Sequence, residues 1–204
     1  MPKFKLSTVY FLLFTVLLTL TACGSSSGVF LNLEPLANGE KIAVIEFSDF
    51  NCPACKGAYP ISREVRHLPG VHFEYRHFPL DIPGHEESRA AANAYECAAE
   101  QGYAEAWETA LFDNQGQFSD ELFAKLPQSY GYAADGKFDS ATYATCLTKE
   151  KYADKIQAGY RDAIQAGLNS TPSFVVNGQI VRGASQLVEA VQSELAKAAT
   201  TPAK

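Results

Sequence analysis

Positive charge, methionine, histidine and tryptophan are all scarce in this chain. Its 204 residues hold 17 lysines and arginines against 23 acids, a formal charge of −6. Without a basic excess there is little to hold a phosphate backbone, so no nucleic acid is expected as a partner. One methionine and four histidines stand beside five cysteines, a usage that points to redox chemistry or bridges before metal. No metal and no other cofactor is expected. Disorder is excluded too, because 47% hydrophobic and 12% aromatic content is enough to bury a core. One folded domain, with room for an insertion, is the expectation.

The first residues set the compartment. Met1-Pro-Lys-Phe-Lys is a short cationic start, and residues 6–20 form an apolar run broken only by Ser and Thr. It ends in Leu20-Thr21-Ala22-Cys23. Residues 1–22 read as a signal peptide, and the final tetrapeptide resembles the bacterial lipobox, which makes Cys23 the acylated first residue of the mature chain. Loss of Lys3 and Lys5 with the leader takes the charge from −6 to nearer −8. The alternative is an uncleaved membrane anchor, for which the run is marginal in length. Either way the folded part lies outside the cytoplasm, where disulfides persist. Residues 23–39 begin with Gly24-Ser-Ser-Ser-Gly28, a flexible tether from the lipid anchor at the membrane.

Residues 41–47, K-I-A-V-I-E-F, make a short β-branched apolar run of the kind found in buried central strands, with Glu46 as its anomaly. A turn follows, and Cys52-Pro53-Ala54-Cys55 opens a helical pattern with Pro53 in the first turn. Pro69-Gly70 ends it, and residues 71–78 alternate as a second strand. From residue 86 to about 167 the pattern is helical, with helices expected over 88–101, 103–114, 120–130 and 140–166. Thr171-Pro172 then precedes two β-type runs joined by Asn177-Gly178, a strong hairpin signal. An amphipathic helix over 184–198 closes the fold. The boundaries expected are 40–84 (β-α-β), 85–167 (an all-helical insertion), 168–198 (β-β-α) and a tail at 199–204.

Thiol-disulfide exchange needs one sulfur ionised near neutral pH and a second within reach to resolve the mixed disulfide. A helix N-terminus meets both needs. Cys52 at the N-cap is stabilised as a thiolate by free N–H groups and the positive end of the dipole, and Cys55 lies one turn inside. Two other readings of the pair stay open: half of a zinc site, completed by Cys97, Cys146 or histidines, and a purely structural bridge. Glu46, six residues before Cys52, is either a buried acid with a raised pKa that handles the Cys55 proton or a solvated strand-end acid. Cys97 and Cys146 are expected to bridge, which would stabilise by about 4 kcal/mol in the chain-entropy model. Buried free thiols or a relay to Cys52 are the alternatives. The four histidines read as surface or strand-end residues, with His77 the one worth testing as a site residue. Phe50, Phe78, Trp107 and Phe174 suit either an apolar client groove or the core.

Three stretches, I-E-F-S-D-F-N-C-P-A-C, Y-R-H-F-P-L and S-T-P-S-F-V-V-N-G, together with the element order, resemble the DsbA-like thiol-disulfide oxidoreductases over roughly residues 40–197. The resemblance implies an α/β thioredoxin fold, a mixed central sheet flanked by helices, with an inserted all-helical domain. It implies that Pro172 is a cis-proline facing the C-x-x-C pair, presenting the Thr171 backbone to an extended substrate, with Pro53 and Ala54 lining the same contact. An ordinary trans Pro172 is the alternative. It also implies reduced secreted proteins as clients and a membrane redox partner that reoxidises the dithiol. Isomerases of the family usually carry an N-terminal dimerisation domain. About a dozen residues separate the tether from the first strand here, so a monomeric oxidase is preferred. A reductase of the same fold and a non-catalytic metal-binding lipoprotein are the competing readings. Strongly oxidising members carry Pro-His between the cysteines, where this chain has Pro53-Ala54.

Overall fold

A run of seven residues buried from end to end, Ile42–Ser48 (β1), forms the middle of the sheet in the computed structural model, which describes residues 41–200. The leader, Cys23 and the tether lie outside the described residues, as do residues 201–204. Helix α1, Pro53–Arg66, crosses back to β2, Val71–His77, which pairs with β1 in parallel. Parallel neighbours require such a crossover. The strands β3 (Ser173–Val176) and β4 (Gln179–Arg182) add antiparallel, giving the mixed order β2-β1-β3-β4. Their turn is made by Asn177 and Gly178 with φ of 45° and 82°, the left-handed pair a two-residue hairpin needs. Asn177 also ties the turn down: its Oδ1 accepts from the Ala43 N–H at 2.9 Å.

Both sheet faces are covered, which explains why β1 reads as an unbroken apolar run. One face packs Ile42, Val44 and Phe174 against Ala58 and Val65 of α1 and Leu187 and Val191 of α7, Gly183–Thr200. The other packs Ile45, Phe47 and Val175 against Ala163 and Ala166. Those residues belong to α6, Ala153–Gln165, and its C-cap. Helix α6 crosses β2 at Gly159, where a Cβ would sit 2.6 Å from the His77 carbonyl oxygen, so the close approach requires glycine there.

Between β2 and β3 stand α2 (Ser88–Ala99), α3 (Ala104–Asp113), α4 (Asp120–Ser129), α5 (Ser140–Thr148) and α6. They surround Trp107, Leu111, Phe112, Phe123, Leu126, Phe138 and Tyr143, a cluster continuous with Phe50, Cys52 and Cys55. The single helix expected over 140–166 is two. Glu150 adopts φ of 45°, and Asn93 on α2 takes up backbone groups freed at the break. Its Nδ2 donates to the Leu147 carbonyl at 3.4 Å and its Oδ1 accepts from the Tyr152 N–H at 3.2 Å. Cys146 therefore lies near the end of α5, not near the start of a long helix. It is bonded to Cys97 of α2 across 49 residues, with the Cα atoms 5.8 Å apart.

Candidate active site

The turn between β1 and α1 is held from several sides. The Asp49 carboxylate, buried at the end of β1, accepts from the Asn51 N–H (2.8 Å), the Leu80 N–H (2.9 Å), His85 Nδ1 (2.7 Å) and Ser88 Oγ (2.6 Å). This gathers the segment after β2 and the start of α2 onto the turn. Cys52 is the N-cap of α1 with extended backbone, and no side chain caps the helix from that position. Gln115, on the α3–α4 connection, instead donates from Nε2 to the carbonyls of Phe50 (2.7 Å) and Cys52 (3.0 Å).

Cys52 and Cys55 are both thiols and both buried, and Pro53 and Ala54 between them are exposed. The Cys52 thiol donates to the Thr171 carbonyl at 3.3 Å, and the Thr171–Pro172 peptide bond is cis. Their environments push the two sulfurs apart. Cys52 is pulled down to about 5, chiefly because the Cys55 thiol hydrogen-bonds to its sulfur. Burial opposes this, and the Thr171 hydroxyl and the N–H groups of Cys55 and Ala54 add to it. Burial and the neighbouring Cys52 push Cys55 well up. The Asp49 N–H donates to its sulfur at 3.5 Å. Thr171 Oγ1 is buried and has no partner among the described residues, so it is available to a Cys52 thiolate.

Beneath the pair the sheet face turns polar. Strand alternation puts Glu46 and Ser48 on one side of β1, and the parallel register sets them beside Tyr75 and His77. Glu46 is 1% exposed, and its pKa is raised to about 8, first by burial and then by the Glu108 carboxylate; Arg66, Ser48 and Ser62 pull the other way. Arg66 donates to Glu108 through two nitrogens, at 2.8 and 3.1 Å. The Ser48 hydroxyl is close enough to Glu46, Tyr75 and Cys55 to lower each pKa. It makes a hydrogen bond of normal geometry to none of them: Ser48 Oγ, Glu46 Oε2, Tyr75 Oη and Arg66 Nε are buried without partners among the described residues. Buried polar groups are normally satisfied, and of these Ser48 and Tyr75 are the ones that interact with Cys55.

The structure thus gathers Cys52, Cys55, Thr171 and Pro172 at one end of the two central strands, β1 and β3, with Glu46 in the layer beneath, while Cys97 and Cys146 lie on α2 and α5. The reading of His85 as a surface or strand-end residue is corrected, while His77, held open as a site residue, does end β2 and is buried there. His77 is 3% exposed and bonds Glu96 at 2.9 Å, and His85 is the partner of Asp49. Phe50, Phe78, Trp107 and Phe174 are at most 2% exposed, so they belong to the core. Sequence reasoning missed Asp49, Gln115 and the Arg66–Glu108 pair. Glu108 carried one signal, an acid between the buried Trp107 and Ala110 on an otherwise apolar helix face.

The thioredoxin family profile matches residues 39–195. Among solved structures, the thiol-disulfide exchange protein α-DsbA2 of Wolbachia pipientis superposes with a TM-score of 0.66 at 16% identity, covering 79% of this chain and 84% of that one. DsbA2 of Pseudomonas aeruginosa gives 0.56 at 27% identity, covering 80% and 93%. A curated relative, the Na(+)/H(+) antiporter NhaA 1 of Mycolicibacterium vanbaalenii, is 32% identical over 159 residues, 74% of this chain and 25% of that protein. The chain spans about a quarter of the length of the curated relatives it matches. No helix among the described residues is long and apolar enough to cross a membrane.

Proposed function

We propose that this chain, which belongs to the thioredoxin family, is a thiol-disulfide oxidoreductase that donates disulfides to reduced proteins outside the cytoplasm. The observation that carries the reading is the asymmetry of the dithiol: Cys52 lowered to about 5 at a helix N-cap and Cys55 raised beside it. Stabilising the Cys52 thiolate favours the reduced enzyme and makes its disulfide oxidising.

In the donating cycle Cys52 and Cys55 start as a disulfide. A client thiolate attacks Cys52 Sγ, the Cys52–Cys55 bond breaks, and Cys55 leaves and takes a proton. Glu46, protonated up to about pH 8, supplies it. A second client thiolate attacks the client sulfur of the mixed disulfide, forming the client disulfide and releasing Cys52 as a thiolate, a good leaving group at its lowered pKa. The client loses two electrons and the enzyme dithiol holds them until a membrane redox partner accepts them. An extended client segment beside Thr171 would pair with its backbone as an added strand, against exposed Pro53 and Ala54. The Cys97–Cys146 bond suits an oxidising compartment, and the leader and lipid anchor at Cys23 suit the same place.

The test is the reduction potential of Cys52/Cys55, by thiol trapping and peptide mass analysis that scores Cys97 and Cys146 separately. A value near about −120 mV supports donation, and one near about −270 mV replaces it with reduction.

A further inference from the structure

We propose that Gln115 is a positioning residue for the exchange reaction, the point at which the helical block sets the reactivity of Cys52. The inference rests on the exchange reading and names a residue that acts through the backbone of the reactive turn. Gln115 lies past the end of α3, its own N–H bonded to the Phe112 carbonyl, and Phe112 packs on Phe50 with ring centroids 5.2 Å apart. From there one amide nitrogen uses both hydrogens on the turn, one for Phe50 O and one for Cys52 O. The Cys52 carbonyl also accepts from the N–H groups of Cys55 (3.0 Å) and Lys56 (3.2 Å).

These bonds fasten the turn by its carbonyls, where no N-cap side chain fastens the helix by its N–H groups. A helix start is usually pinned by an N-cap side chain, but here that position is taken by the reactive sulfur, and no side chain caps the helix from it. The turn must still keep the Ala54 and Cys55 N–H groups close enough to Sγ to favour its thiolate. By fixing the carbonyls on either side of Asn51, Gln115 holds the turn at that curvature and draws charge from the Cys52 carbonyl. Among titratable groups, Cys55 is the one that acts on the Cys52 sulfur, and Gln115 carries no charge, so its effect is on geometry and dipoles.

Gln115→Met keeps the side chain's length and removes both donors. The measurement is the pH dependence of iodoacetamide labelling of Cys52 in the reduced full chain, read by peptide mass so that Cys23 is scored apart. For Gln115→Met, losing one to two ordinary hydrogen bonds shifts the ionisation constant about threefold to tenfold, so labelling at pH 5, where Cys52 is half ionised, should fall about twofold to fivefold, with the profile displaced to higher pH. Gln115→Asn, too short to span both carbonyls, should do the same and serves if the Met variant does not fold. An unchanged profile in the folded variants, even with a lowered melting temperature, overturns the proposal, because a mere staple would move stability alone. If the unsubstituted chain itself labels like an ordinary thiol, the exchange reading fails instead.

Discussion

Two cysteine pairs sit in one chain in opposite states, one as free thiols and one as a disulfide. Cys52 and Cys55 lie at a helix start in unequal surroundings, one sulfur lowered to about 5 and the other raised. Cys97 and Cys146 come from the interiors of two helices, both buried in one apolar cluster, and are bonded to each other. Buried cysteines are inert by default. What sets Cys52 and Cys55 apart is the hydrogen bond between their sulfurs, to which the Thr171 hydroxyl and the N–H groups of Cys55 and Ala54 add, with a layer of ionisable groups beneath. Burial is common to both pairs, so the contrast lies in the hydrogen-bond donors gathered around Cys52.

The sharpest way to break this contrast is to swap the loss. Cys52→Ser should abolish disulfide transfer to a reduced client and leave the melting temperature nearly unchanged, while Cys55→Ser should trap mixed disulfides visible on a non-reducing gel. Loss of the second pair, Cys97→Ala with Cys146→Ala, should do the reverse. Exchange persists, and stability falls by up to about 4 kcal/mol, the nominal value for closing a loop of this length, measurable by urea unfolding. Failure of transfer in the folded double variant would mean that the pairs are not independent.

The first pair was legible in the sequence, because C-P-A-C, its Pro at N1 and Glu46 six residues earlier are all local. Asn177-Gly178 was legible for the same reason, since a two-residue turn carries its whole explanation. What escaped was made by distant partners. Nothing near Lys149 announces the break between α5 and α6, because the groups that accommodate it belong to Asn93. Asp49 reads as an ordinary turn residue until Leu80, His85 and Ser88 are brought to it. Gln115 falls between two expected helices, and its partners Phe50 and Cys52 lie more than sixty residues away in sequence. Periodicity reports which face is buried, but not which polar group a remote loop will deliver to it.

A third prediction sharpens the contrast by removing the ionisable layer that only the reactive pair possesses. Glu46→Gln should slow the steps in which Cys55 gains or loses a proton by about a hundredfold or more, the low end of general acid–base contributions, without weakening client capture by Cys52. The check is stopped-flow exchange with a fluorescent disulfide peptide. The stability signs of the two groups are opposite. Glu46 has a raised pKa, so its contribution is full below its unfolded value and is lost as pH rises through about 8. Reduced Cys52 has a lowered pKa, so its contribution is present above the unfolded thiol value and is lost as pH falls through about 5. Glu46→Gln should therefore gain stability relative to the unsubstituted chain progressively as pH rises from the ordinary carboxylate value to about 8, and no further above it; an equal offset at pH 5 and pH 9 would contradict a neutral, buried Glu46.

The smallest expected effect tests whether the two regions are electrically separate. Glu108 belongs to α3 in the helical block, yet its carboxylate is the second cause of the raised Glu46 pKa, after burial. Glu108 is itself raised by burial and held in check by Arg66. Replacing it by Gln removes one negative charge facing Glu46 and leaves Arg66, whose cation favours the Glu46 carboxylate. Both changes act in the same direction, so Glu46 should titrate lower. The pH at which the Cys55 step changes rate should move down by less than the effect of Glu46→Gln itself, a few-fold difference in rate near pH 8. Cys52 labelling should not move, because Glu108 is not among the causes of its shift. A displaced Cys52 profile in Glu108→Gln would mean that the helical block reaches the attacking sulfur by charge, and not only through the hydrogen bonds of Gln115.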